Sequence, residues 1–153
     1  LPDIILLITL LVYSIIVSQS FMYLLALKDV QLKLDAGPHS ELRKLLDTSM
    51  RSNFKYVVYA ALLFTLALVI ETSKSPGSLQ FIMTAVSFVA LLADSLLTLK
   101  GNLPINDIIN SWSADHYPAN WVDYRAKWLR IFCYRQFANI TGFLCLLISA
   151  VFR

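Results

Sequence analysis

The chain has 153 residues, enough for one domain, and 58% of them are hydrophobic while only 15% are charged. A soluble domain carries about 45–50% apolar and about 25% charged residues, so this balance, with a mean hydropathy of +0.64, excludes an ordinary soluble domain. The formal charge of +3 does not mark a nucleic-acid binder, because the basic residues flank apolar stretches and form no stripe of their own.

Four apolar stretches follow in chain order. The first, residues 4–27, is bounded by Asp3 and by Lys28-Asp29. It is longer than the apolar region of a signal peptide, about 7–15 residues, and no basic stretch precedes it, so it is expected to be a retained span. A polar stretch from Lys28 to His39 contains Gly37-Pro38 as the expected breaker. The second stretch is apolar over residues 56–70, short against the roughly 20 residues that cross a bilayer. The span is placed at 54–71, with its helix expected to start near Ser40 and an amphipathic part over 41–55 leading into the membrane. Residues 72–78 form a tight turn carrying Pro76-Gly77, and the third span, 78–99, is closed by Lys100-Gly101, a plausible helix C-terminus. Residues 101–120 are expected to be the longest irregular segment. The last helix begins near Asn120, a candidate N-cap, and its span covers 125–152. The fold expected is all-α, a single domain built as a four-transmembrane-helix bundle with both termini on the same side.

Orientation follows from Lys and Arg. Lys74 and Arg153 lie on the side of the termini, and the other eleven basic residues lie on the opposite side. The positive-inside rule therefore places loops 28–53 and 100–124 in the cytoplasm of a plasma or inner membrane. The two cysteines, Cys133 and Cys145, are twelve residues apart in one helix. That is about 18 Å, too far for a disulfide, which needs Cα atoms within about 7 Å.

Ionisable residues inside spans mark candidate sites, because burying a charge in a membrane is costly. Asp94 and Arg135 are such residues. Counted at about 1.5 Å per residue from the outer ends of the spans, Gln19, Lys55, Asp94 and Arg135 all fall about 24–27 Å deep, in one layer. Helical spacing supports this. Gln80, Thr84, Ser87, Leu91, Asp94 and Thr98 share a face of the third span. Trp121, Arg125, Trp128, Phe132, Arg135, Asn139 and Gly142 share a face of the fourth. Two readings stay open. The layer is a structural ion pair completed by Gln19 and Asn139, or it is a polar pocket for an apolar ligand entering from the membrane. Phe21, Tyr23, Tyr56, Tyr59, Phe132 and Tyr134 are aromatic candidates to line such a pocket.

Other chemistries have no basis here. His39 and His116 lie outside the spans, so there is no His pair for haem and no cluster at metal-ligand spacing. There is no nucleotide-binding loop. No metal and no cofactor is expected. Trp112, Trp121 and Trp128 fall near the basic end of the spans, either as interfacial anchors or as the roof of a pocket. Asn102, Pro104 and Asn106 either cap the third span or present amides to a substrate oxygen.

Asn102-x-Pro104-x-Asn106, then Trp112, then Trp121-x3-Arg125-x2-Trp128-x6-Arg135, resembles the anthrone-oxygenase-like family of small four-helix membrane proteins. Most members of that family have no assigned function. A few relatives in fungal polyketide pathways are associated with oxidising anthrones to anthraquinones by molecular oxygen, with no evident metal or flavin. The resemblance implies Asp94 and Arg135 as catalytic residues. Its motif residues Asn102, Asn106, Trp121, Arg125 and Trp128, with Gln19 and Asn139 of the polar layer, are the expected substrate site. The resemblance departs at Phe132, where that family often has His one turn before the last Arg, so Asp94 would have to serve as the base. The expected partners are the lipid bilayer, a lipophilic small molecule and a second copy of the chain. The reading from another class is a non-enzymatic scaffold or accessory subunit whose polar layer only holds the bundle together.

Overall fold

The structure, a computed structural model, describes residues 2–152. It is all-helical among these residues, apart from one isolated bridge between Ser113 and His116. Four helices are long and apolar enough to cross a membrane: Asp3–Lys33 (α1), Ala36–Thr72 (α2), Leu79–Asn110 (α3) and Trp121–Val151 (α4). Each packs on two neighbours, in the order α1, α2, α3, α4 around the bundle, and the α3–α4 contact is the most extensive. Arg153, used above to count charge and depth, lies outside the described residues.

Outward faces are apolar, as a lipid-facing surface requires. Leu7, Leu63, Val89, Phe137 and Val151 are all exposed. The core has two parts. Leu6, Tyr13, Ile16, Ala61, Leu68, Leu91 and Leu146 fill the end near the α2–α3 turn. Tyr23, Ile105, Ile109, Trp112, Trp128 and Phe132 form an aromatic cluster at the basic end. The polar layer lies between them.

The turn over 73–77 forms as expected, and Ser78 caps α3 by accepting from the Phe81 amide at 3.1 Å. Four expectations are corrected. The second helix starts at Ala36, not Ser40, because the break falls at Leu34 and Asp35, which are extended. Pro38 sits in the first turn of α2, where its missing amide hydrogen costs nothing. Gly37 allows close packing, since a Cβ there would lie 3.0 Å from the Ala114 carbonyl oxygen. Lys100-Gly101 does not end the third helix. Gly101 keeps a negative φ, and the helix continues through it to Asn110. Its bare Cα admits Ile131 of α4, whose side chain would stand 2.7 Å from an added Cβ. The irregular segment is therefore only 111–120. Asn120 does precede α4, but its side chain makes no capping hydrogen bond.

The continuous helices contain wider π turns at Tyr23–Leu27 in α1, Met50–Phe54 in α2 and Thr98–Asn102 in α3. All three lie at the basic end.

Gly142 sits under Tyr13. A Cβ on it would overlap the Tyr13 hydroxyl and come within 3.0 Å of Tyr13 Cζ and 3.1 Å of the Ala90 Cβ. Gly142→Ala should therefore lower stability in detergent by about 1–3 kcal/mol through overpacking. Adding Tyr13→Phe, which removes the overlapping oxygen, should recover part of that loss in thermal unfolding. An unchanged midpoint for Gly142→Ala would contradict the packing described.

Candidate functional site: a charged intramembrane cavity

Helix α3 supplies Asp94, Asn102 and Asn106 to one face. In an α-helix each four-residue step overshoots a full turn by about 40°, so three steps would drift by about 120°. The π turn at Thr98–Asn102 closes wider loops and takes up that overshoot. Asp94, Thr98, Asn102 and Asn106 consequently line the same cavity.

The Arg135 Nε donates to Asp94 Oδ1 at 2.7 Å, and its Nη1 donates to Asn102 Oδ1 at 3.2 Å. Asp94 is 2% exposed and Arg135 8%. Asn102 Nδ2 donates to the Trp128 carbonyl at 3.1 Å, and Trp128 Nε1 donates to Asn106 Oδ1 at 2.8 Å. Two asparagines thus tie α3 to Trp128 of α4 on the basic side of the ion pair.

Helix α2 brings a second charged group to the same place. Arg43, 5% exposed, donates through Nη1 to the Tyr23 hydroxyl at 2.8 Å and through Nη2 to Asn106 Oδ1 at 3.1 Å. Its guanidinium lies over the Trp128 ring, 3.8 Å from the centroid. Gln31 Nε2 also donates to the Tyr23 hydroxyl, at 2.8 Å. Asp47, 4% exposed, accepts from Asn106 Nδ2 at 2.7 Å, from Asn110 Nδ2 at 2.8 Å and from Arg51 Nε at 2.8 Å. Arg51 Nη2 donates onward to Asp107 at 2.6 Å. Asn106 is the hub: its oxygen serves Arg43 and Trp128, and its amide serves Asp47.

Beside this network lies a cavity of about 480 Å³, within the range of about 300–1,000 Å³ typical of small-molecule sites. Its polar end is formed by the charged network. Its remaining wall is apolar and includes Met50, Phe54, Val58, Leu62, Leu99 and Leu103. Tyr59 and Leu99 also reach the outer surface, so the cavity extends to the apolar outside of the bundle between α2 and α3. All three π turns contribute to its wall. Such turns occur often at functional sites.

Gln19, Lys55, Asp94 and Arg135, expected in one layer, all line this one cavity. Asn102, Asn106 and Trp128 line it too. Trp121, Arg125 and Asn139 do not. Arg125 Nη1 instead donates to the carbonyls of Gln31 and Leu34, both at 2.9 Å, and satisfies the end of α1. Trp121 packs between that guanidinium and His39. Asn139 is buried, and its Oδ1 has no partner. The ion pair is completed by Asn102, not by Gln19 and Asn139.

Of the aromatic candidates, Tyr23 and Phe132 are buried, with ring centroids 4.3 Å apart. Phe132 also stacks on Trp128 at 5.0 Å and 12°. Tyr59 lies on the cavity wall; Phe21, Tyr56 and Tyr134 face outward. Sequence reading missed Arg43 and Asp47, which look like the solvated face of an amphipathic helix. Their signal was present: Arg43, Asp47, Met50 and Phe54 recur at steps of three and four, and all line the cavity.

Comparison with known protein families, curated proteins and solved structures gave no match.

Removing one partner of a buried pair strands the other charge, which costs about 3–5 kcal/mol. Asp94→Ala should therefore destabilise the bundle by about that amount, and Asp94→Ala combined with Arg135→Leu should destabilise it less. Unfolding of both variants in detergent checks this. A double variant no more stable than Asp94→Ala would show that the pair does not behave as a coupled unit.

Proposed function

We propose that this integral membrane protein binds a lipophilic, aromatic or quinone-like small molecule in the cavity around Asp94 and Arg135. The observation that carries this reading is the division of the cavity. Charged and amide groups converge at one end, and the rest of the wall is apolar and borders the membrane. A molecule dissolved in lipid could enter between α2 and α3 and present a carbonyl or phenolic oxygen to Arg135, Asn102 and Asn106. In this reading the end of the bundle built from residues 28–53 and 100–124 lies on the cytoplasmic side.

The resemblance to the anthrone-oxygenase-like family supplies a chemistry for the same site. Asp94 takes a proton from the activated methylene of an anthrone-like substrate. Arg135, beside it, and the two asparagines hold the oxyanion that forms. The electron-rich anion then reduces molecular oxygen. The methylene becomes a carbonyl, and one water leaves for each oxygen molecule consumed. The second reading, a scaffold or accessory subunit, is favoured by a different observation: Asp94, Asn102, Asn106 and Asp47 spend hydrogen bonds on one another and on arginines.

Trp128 on the cavity wall offers the readout. Titration of the detergent-solubilised protein with a short-chain quinone should quench tryptophan emission saturably. Arg135→Gln should weaken that binding by about tenfold or more, the worth of a hydrogen bond from a charged donor. No saturable quenching in the wild type would favour the scaffold. With an anthrone, oxygen uptake lost in Asp94→Asn would support oxygenation. Uptake at the spontaneous rate would remove the oxygenase and leave the binding reading in place.

A further inference from the structure

We infer that the occupant of the cavity is an amphiphile with a singly anionic head, held against Arg43. This rests on the cavity being a binding site and names the class of its ligand. A buried charge is costly unless it is paired. Arg135 has Asp94, and Arg51 has both Asp47 and Asp107. Among the described residues no carboxylate forms an ion pair with Arg43, although it is 5% exposed. Its hydrogen-bond partners are a phenol and an amide oxygen, both neutral. They occupy two of the five N–H donors of a guanidinium, and Nε is buried with no partner. Lys55, on the same wall at the outer edge, also has no ion pair among the described residues.

Arg43 therefore lacks a contacting counter-charge; Asp47 acts on it only across Asn106. Arg43, Arg51, Lys55 and Arg135 line the cavity, against Asp47 and Asp94 in the wall and Asp107 at the rim. One negative charge placed at Arg43 would neutralise it. The apolar wall from Phe54 to Leu62 on α2 and at Leu99 on α3 suits a hydrocarbon or aromatic body. A carboxylate, a phosphate monoester or a phenolate on such a body has the chemistry required. A small inorganic anion lacks the body, and a neutral lipophile such as a quinone fills the apolar part and leaves Arg43 without a contacting counter-charge, so it binds more weakly.

The test uses the whole chain in phosphatidylcholine nanodiscs, with empty discs as background. Equilibrium binding is compared for palmitic acid as its anion, hexadecanol and acetate. Palmitate should bind at least about tenfold more tightly than hexadecanol, as expected for charge-assisted hydrogen bonds. Acetate should not compete. Arg43→Gln should bring palmitate down to the affinity of hexadecanol, and Arg43→Lys should keep part of the preference. If Arg43→Gln does not fold, Lys55→Gln, at an exposed position, should still reduce the preference. Including phosphatidylglycerol in the disc separates the sources: competition makes the occupant a membrane lipid, and no competition makes it a free lipophilic acid. Equal binding of palmitate and hexadecanol would overturn the anionic head and leave the lipophile reading standing. Competition by acetate at concentrations similar to palmitate would overturn the amphiphile. Binding of neither long-chain molecule would overturn both this inference and the cavity's role as a binding site.

Discussion

Arg43, Asp47, Asp94 and Arg135 are withdrawn from water inside one end of the bundle, and each must be held by other polar groups for the helices to close around it. Charges in such a place are costly, so the surrounding side chains are committed to them. Asn106 is the clearest case, with its oxygen shared by Arg43 and Trp128 and one amide hydrogen given to Asp47. Asn102 does the same one turn earlier, between Arg135 and the backbone of α4. The aromatic cluster of Tyr23, Trp128 and Phe132 packs beside these groups and shields them. Low dielectric strengthens every one of these hydrogen bonds and makes any missing partner expensive. Arg43 is the member that forms no ion pair among the described residues, with Asp47 reaching it only across Asn106.

The π turns explain how long helices that cross a membrane can also present a polar face at a fixed depth. A strict α-helix carries residues four apart steadily around its axis. The wider turns reset that rotation at the point where three helices leave the apolar core and meet the cavity. The same turns give the helices a larger girth beside the cavity wall, where side chains of α2 and α3 stand apart. Architecture and site are thus parts of one arrangement: apolar packing near the α2–α3 turn fixes the bundle, and departures from α geometry at the basic end shape the cavity.

The four spans were legible because apolar length and flanking charge are properties of sequence alone, and the turn at Pro76-Gly77 is a strong local signal. That Gln19, Lys55, Asp94 and Arg135 would come near one another was legible because helical rise can be counted along, and all four line the cavity. Helix ends were not. Gly101 reads as a terminator, but here it serves close packing against Ile131, a tertiary cause that sequence does not display. The same error turned Asn102 and Asn106 into loop residues, although they belong to a helix. Arg43 and Asp47 escaped notice because a charged helical face usually meets water. Only the fold of α2 back over the bundle shows that this face is covered by Tyr23, Asn106 and Trp128. Arg125 and Trp121 share the stripe of Arg135 by spacing, yet lie beyond the cavity where the chain between α1 and α2 crosses.

The account turns on a ligand occupying the space between α2 and α3. A photoreactive azidophenylalanine at Phe54, on the cavity wall, and the same residue at Tyr56, 63% exposed on the outer face, would test this in native membranes. The account predicts one discrete adduct of defined mass at Phe54 and a spread of bulk lipid adducts at Tyr56. The same bulk lipid pattern at both positions would contradict it, and the cavity would then be no more than lipid-filled space between two helices.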